Sequence, residues 1–434
     1  MPANAEPLRR SEMLRYGLPG FVLTLLGVPL YVYLPNYFHD NWQVSLGVIG
    51  AALLVTRLLD MVTDPLVGVW SDQWQARIGR RSQMALGAMV LLVGLYGLFF
   101  PFEVWLQTMP FVYLFVVSSV AFLGWTLMSV PYQALVADLT TDHHAKTRLT
   151  LSREGFGLLG VVVVLALPTI LSLAPTAPKL FEWVWWLVLG GLVVSLSGLL
   201  RLDTVQRLDP APATTTSLWQ SLYGYRRLWQ QHRQAYALMG PYFVNNLANA
   251  FPATLFLLFV THALALESQA GPLLLVYFAC GLLALPFWLW LSKRLGKLAA
   301  WRWSMITAVI GFSGLYWVEA GDYERYLLVC AVTGLSLGAD MALPASLQAD
   351  VVQRLREQGM DAASRLFGLW GLLTKLALAV AVGVALPWLD ALGLDQATPE
   401  AVSALWVFYA LVPILLKLIT LFWLHLDQPE RATG

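Results

Sequence analysis

Residues 44–81 read VSLGVIGAALLVTRLLDMVTDPLVGVWSDQWQARIGRR. The first part, 45–66, is mostly apolar and long enough to carry an α-helix across about 30 Å of hydrocarbon, which takes about 20 residues. The second part turns polar and basic at Asp72, Arg77, Arg80 and Arg81, the composition of a loop held on the cytosolic side of a membrane. An apolar helix running into a basic loop is the repeating unit of a polytopic membrane protein.

Working outward, the chain offers eleven more such stretches, at 17–36, 84–102, 110–134, 154–173, 183–200, 236–262, 272–292, 301–318, 325–348, 366–388 and 402–425. Twelve transmembrane helices are therefore expected, since a helix satisfies every backbone group internally where no water is present. Composition agrees: the 434 residues are 58% hydrophobic and 12% charged, about half the charge a soluble domain carries, and mean hydropathy is +0.64. The net charge of +1 gives no footprint for nucleic acid. Cys280 and Cys330 are the two cysteines, and both lie in apolar stretches, which speaks against a disulfide framework or a thiolate metal site. The N-terminal MPANAEPLRRSEMLRYG reads as a cytosolic leader and not as a signal peptide.

Basic residues give the orientation. Arg9, Arg10, Arg77, Arg80, Arg81, Lys146, Arg148, Arg226, Arg227, Lys293, Arg294, Lys297, Arg354 and Arg356 all fall in the tails and even-numbered loops, which places both termini in the cytoplasm. Lys179 and Arg325 fall on the other side, while Glu103, Glu182, Glu267, Glu319, Asp322, Asp390 and Glu400 mark the external loops.

The polar stretch 201–235 divides the spans six and six. It contains DPAPATTTS followed by LYGYRRLWQQHRQ, whose basic and aromatic residues suit an interfacial helix. The expected domains are a tail at 1–16, a six-helix bundle at 17–200, the linker, a second bundle at 236–425 and a tail at 426–434. GWTLMSVPYQALVAD at 124–138 echoes GADMALPASLQAD at 338–350, each with Gly, then Pro, then a closing Asp, and each followed by Ser-Arg at 152–153 and 364–365. Repeated bundles with a site near the midplane are the architecture of many secondary carriers.

Charges inside spans cost on the order of 3 kcal/mol each and therefore point to function or to pairing. Arg57, Asp60 and Asp64 lie at i, i+3 and i+7, on one helical face. Two carboxylates and one guanidinium leave a local charge that one Na⁺ or H⁺ neutralises, and Thr63 adds a hydroxyl of the kind hard cations favour. The other reading makes Arg57 and Asp60 a structural pair and Asp64, before Pro65, the end of the span. Lys375, about nine residues into its span, needs a carboxylate or an anionic solute group, or else snorkels along its stem. Asp340 stands at the repeat counterpart of Thr126. Tyr242, Asn245, Asn246 and Asn249 share one face, to line a solute path or to bond a neighbouring helix. In the loop after span 2, Asp72, Arg77, Arg80 and Arg81 either close a gate by ion pairing or merely set topology. Asp350 and Arg365, the closing Asp and the Arg of the second repeat, are gating candidates too, as is Arg57.

These residues together resemble the glycoside-pentoside-hexuronide:cation symporters of the major facilitator superfamily, typified by the melibiose carrier. The resemblance is carried by YG at 16–17, RLLDMVTDPLVG at 57–68, DQWQARIGRR at 72–81, VPYQAL at 130–135, ADVV at 349–352 and SRLFGLWGLLTK at 364–375. It implies the major facilitator fold, cation ligation by Asp60 and Asp64 with Thr63 and Thr126 at further positions, and substrate binding or coupling by Arg153 and Lys375. Two carboxylates that hold sugar hydroxyls in that carrier correspond to Thr24 and Ser129 here, and its span 4 tryptophan corresponds to Gln133.

The expected function is a monomeric solute:cation symporter of sugar or glycoside type in the inner membrane, needing no cofactor beyond its coupling ion. A lysolipid or other amphiphile carrier of the same fold is the alternative, suited by the missing carboxylates. An enzyme or sensor is disfavoured: the sequence contains no HExxH, GxSxG or Walker loop, and its six His show no ligand spacing.

Overall fold

A computed structural model describes residues 10–140, 142–202, 230, 233–360, 362–394 and 398–427. The expected interfacial helix of the linker and most of the two tails lie outside these residues. Every regular element described is helical. In chain order they are α1 (Arg10–Leu25), continued through a π turn at Pro29–Tyr33 into α2 (Leu34–Trp42), then α3 (Leu46–Phe99), α4 (Glu103–Thr108), α5 (Pro110–Leu139), α6 (His143–Leu171) and α7 (Pro178–Leu200). There follow α8 (Met239–Leu258), α9 (Ala270–Leu295), α10 (Lys297–Ser313), α11 (Tyr323–Glu357), α12 (Ala363–Ala391), α13 (Pro399–Trp406) and α14 (Val412–Asp427).

Sequence punctuation explains several boundaries. Ser45 caps α3 by accepting from the Val48 N–H, and Asp142 caps α6 by accepting from His144 and Ala145. The 54-residue α3 is two helices in one run, broken where Gly79 takes φ 70° and ψ 156°. That backbone region costs a residue with a Cβ and not a glycine, so the chain turns within the basic loop DQWQARIGRR.

Among the described residues, ten helices are long and apolar enough to cross a membrane. The expected spans 45–66 and 301–318 are not among them, for visible reasons. The first carries Arg57, Asp60 and Asp64 within one helical run, and α10 has 17 residues before it tightens into a 3₁₀ turn at Gly314–Trp317. Large apolar side chains such as Val93, Leu283, Ile310 and Phe422 are more than 60% exposed on the helices, as lipid-facing positions require.

By its contacts the chain forms two compact units. The first comprises Met1–Arg227 together with Gln348–Gly371, and the second Leu228–Leu347 together with Leu372–Gly434. Residues 348–371, the end of α11 and the start of α12, pack with the first unit. Within the first unit α3 and α5 touch at the backbone: a Cβ added to Gly124 would lie 2.2 Å from the Leu91 nitrogen. In the second unit the core centres on Phe259, stacked on Tyr409 with ring centroids 4.0 Å apart, while Tyr409 and Tyr326 share a 2.7 Å hydroxyl bond.

Candidate functional site

In the first unit, Asp60 and Asp64 project one turn apart from α3 toward α5. Both are nearly enclosed, at 6% and 2% exposure. The Thr126 hydroxyl on α5 lies 3.0 Å from Asp60 Oδ1 and 2.8 Å from Asp64 Oδ1. With one proton, it donates to one carboxylate at a time. Thr63 spends its own proton on the Asp60 carbonyl, 2.9 Å away, and keeps lone pairs available. A cavity of about 130 Å³ adjoins the cluster, lined by Thr56, Leu59, Asp60 and Thr63 of α3 and by Ser119, Val120, Phe122 and Leu123 of α5. Like charges this close repel strongly in a medium that solvates ions poorly.

Three further features of the first unit surround this cluster. The start of α12 crosses α3 so closely that a Cβ on Gly371 would lie 2.7 Å from Asp64 Oδ2. Asp72 accepts from the backbone N–H groups of Ser364 and Arg365, at 2.8 and 2.9 Å, and so satisfies the free donors at the α12 start, where a negative charge is also favoured by the helix dipole. Arg80, its side chain 1% exposed, reaches Asp138 at 2.9 Å and Asp72 at 3.4 Å and bonds the Ser364 hydroxyl. Asp138 in turn binds Arg356, which also donates to the Ala137 carbonyl at 2.8 Å. Asp350 pairs with His143 at 2.9 Å and Lys146 at 3.5 Å. These bonds give the physical reason that residues 348–371 belong to the first unit.

The remaining expected positions of this unit are more dispersed. Arg57 places its guanidinium over the Tyr31 ring, 4.6 Å from the centroid. Arg77 lies over Trp74 at 5.2 Å, exposed, and Arg81 is half-buried. Arg365 Nε is 4.0 Å from Asp72 Oδ2. Arg153 is buried and bonds Glu154 Oε1 through Nε at 2.8 Å and Nη2 at 2.5 Å, while its Nη1 is buried without a partner among the described residues. Thr24 packs against Gly157, where a Cβ would meet its hydroxyl at 2.7 Å. Ser129 and Gln133 are half-buried on α5.

In the second unit Asn245, Asn249 and Asp340 come together, around a residue the sequence reading passed over. Lys417, fully buried on α14, donates to Asp340 Oδ2 at 2.6 Å and to Asn245 Oδ1 at 3.0 Å. Ser304 of α10 donates to Asp340 Oδ1 at 2.8 Å, and Asn249 Nδ2 lies 3.4 Å from Oδ2. Asn246 instead bonds the Tyr242 carbonyl within its own helix. Tyr242 shares a 2.7 Å hydroxyl bond with Thr374, next to the half-buried Lys375. One signal pointed to Lys417: it and Asp340 are opposite charges in separate apolar stretches. Asp138 was likewise marked only as a helix-closing residue of the repeat.

A profile of the family described as MFS/sugar transport protein matches residues 15–427. An uncharacterized symporter of Synechocystis sp. is 23% identical, over 95% of this chain and 92% of that one. The sphingosine-1-phosphate transporter MFSD2B of Xenopus tropicalis is 26% identical over 85% of this chain and 77% of its own length. The sodium-dependent lysophosphatidylcholine symporter 1 of Mus musculus is 24% identical over 99% and 88%. Among solved structures, a bacterial homologue of the iron transporter ferroportin in an outward-facing state superposes with a TM-score of 0.70 at 17% identity, covering 96% of this chain and 99% of that one. A profile that runs from α1 to α14, on helices arranged in the major facilitator fold, makes this chain a member of the MFS/sugar transport family, a multi-pass symporter of the glycoside-pentoside-hexuronide type and not an enzyme.

Proposed function

We propose that the chain couples inward movement of Na⁺ to that of a small glycoside-type solute, with Asp60, Asp64 and Thr126 as ion ligands. The observation that carries this reading is the Thr126 hydroxyl set between the two carboxylates, 3.0 and 2.8 Å away. Oxygen ligands from two helices suit a hard monovalent cation; a proton alone needs only one of them. Thr63 contributes from the same turn. Twelve helices span the inner membrane in this reading, with 46–78 and 297–317 added to the ten strongest, and the distribution of Lys and Arg sets both termini in the cytoplasm. Asp72 and Arg80, with Asp350 and Arg365, serve as the cytoplasmic gate that holds the α12 start until it is released in alternating access. Arg153, Thr24, Ser129 and Gln133 in the first unit, and Lys375 in the second, are each assigned to solute binding or coupling.

A second reading changes only the cargo. Thr24 and Ser129 leave no carboxylate where the resembled carrier grips sugar hydroxyls, and two of the relatives bear lysolipid or sphingolipid phosphate names. A lysolipid would place its phosphate against Lys375 or Arg153.

Uptake into vesicles tests both. Under an inward Na⁺ gradient, a panel of radiolabelled glycosides is expected to yield a solute whose accumulation collapses in Asp60→Asn. Accumulation of lysophospholipids instead would select the second cargo. Solute accumulation that is unchanged in Asp60→Asn would remove the ion site from the account.

A further inference from the structure

Lys417 sits in the apolar segment Val412–Asp427, with its side chain fully enclosed. An ammonium in such surroundings is tolerated only with compensation close by. Its surroundings are notable for which atoms face it. Asp340 presents Oδ2 at 2.6 Å and Asn245 presents its carbonyl oxygen at 3.0 Å. In that orientation the Asn245 Nδ2 is buried and has no partner among the described residues, so the amide forgoes its donor bonds in order to turn its acceptor to the cation. Ser304, by bonding Oδ1 at 2.8 Å, fixes the carboxylate so that its other oxygen faces Lys417. Two helices, α8 and α11, thus supply a fixed pair of oxygens, α10 fixes the carboxylate through Ser304, and α14 supplies the positive charge.

We propose that Asp340 and Asn245, positioned by Ser304, form a monovalent-cation site in the second unit that the chain fills with its own ammonium. Lys417 is the resident cation of that site, held by a covalent tether where another protein would take an ion from solution. A carboxylate oxygen and an amide oxygen are the donor types that bind small hard cations and alkylammonium ions alike. The tether makes occupancy permanent, because the effective concentration of an intramolecular ligand exceeds what salt in the medium supplies. The second unit consequently needs no ion from solution. The further consequence, that ion dependence of transport originates in the first unit, rests on the function proposed above; the occupancy of the Asp340 site by Lys417 does not.

Removing the tether while leaving the oxygens tests the proposal. Truncating Lys417 to Ala deletes three methylenes and the ammonium, the equivalent of propylammonium. The full-length protein is prepared as Asp60→Asn, which disables the first-unit site, and as Asp60→Asn/Lys417→Ala. The thermal midpoint of each is then followed in detergent with propylammonium chloride, NaCl or 1-propanol. The double variant is expected to melt lower than its parent, to regain at least about half of the lost midpoint with propylammonium, in a saturable manner, and to gain little from 1-propanol. Adding Asp340→Asn is expected to abolish the response. Should the alanine variant not fold, Lys417→Ser, which keeps a polar side chain at the position, takes its place in the same salts. Equal rescue by propanol would show an apolar cavity being filled, and equal rescue with Asp340→Asn present would show a response located elsewhere. Either result, or no response in either variant, overturns the proposal. Because Asp60 is already substituted, such a failure leaves the Na⁺ response of the first unit to be judged on its own.

Discussion

The two units bury carboxylates in the same low-dielectric surroundings and treat them differently. In the first, Asp60 and Asp64 converge on a neutral hydroxyl, Thr126. In the second, Asp340 faces the ammonium of Lys417 at 2.6 Å. A carboxylate facing a fixed cation is a finished arrangement, and changing it costs stability. A pair of carboxylates brought to one hydroxyl is a different arrangement, in which two like charges lie close together. The same residue type is thus held by an ammonium in one unit and shares a hydroxyl in the other.

The largest expected effect separates the two directly. Lys417→Met alone leaves the Asp340 charge buried and is expected to destabilise the protein by about 3–5 kcal/mol, whereas Lys417→Met combined with Asp340→Asn recovers most of that loss. Asp60→Asn, by contrast, replaces one carboxylate of a pair by an amide of the same shape and is expected to shift the midpoint less than Lys417→Met when no Na⁺ is present. Thermal midpoints of these three variants and the parent in Na⁺-free detergent check this comparison. A Lys417→Met protein as stable as the parent would erase the contrast.

A smaller effect sharpens it. Thr126→Val keeps the shape and removes the shared hydroxyl, a loss of about 1.4 kcal/mol of ligand interaction, which is about tenfold in Na⁺ affinity. Ser304→Ala removes a comparable bond to Asp340 and is expected to lower stability by about 1 kcal/mol while leaving Na⁺ affinity unchanged. Isothermal titration of Na⁺ into both variants reads the difference.

Much of this was legible in the sequence because membrane insertion penalises charge so strongly. Asp60, Thr63 and Asp64 declared themselves by lying at helical spacing inside an apolar run, and the basic loop after them gave the turn that the structure places at Gly79. Asn245, Asn249 and Asp340 stood out as polar residues in apolar helices. What the sequence left unread are relations between helices distant in the chain. Thr126 is an ordinary residue in its own helix, and only its placement against α3 makes it the shared donor; its position was named by resemblance. Lys417 and Asp340 are 77 residues apart, so spacing within one helix gives no sign that they meet. The binding of residues 348–371 to the first unit depends on Asp72 capping a helix nearly 300 positions later, which no local periodicity encodes. Span lengths suffered from the opposite problem: the first half of α3 is too charged and α10 too short to stand out as apolar spans, although each sits in the same sequence of alternating helices and loops.

The central claim is that Asp60, Asp64 and Thr126 bind Na⁺, and the most direct test is the thermal midpoint of the purified protein across Na⁺ concentration at fixed ionic strength, in wild type and in Asp60→Asn. The account predicts a saturable rise in the wild type, because an ion that binds the folded state alone stabilises it by mass action, and a flat response in the variant. A rise of equal size in both proteins, or no rise in either at any pH, would contradict it.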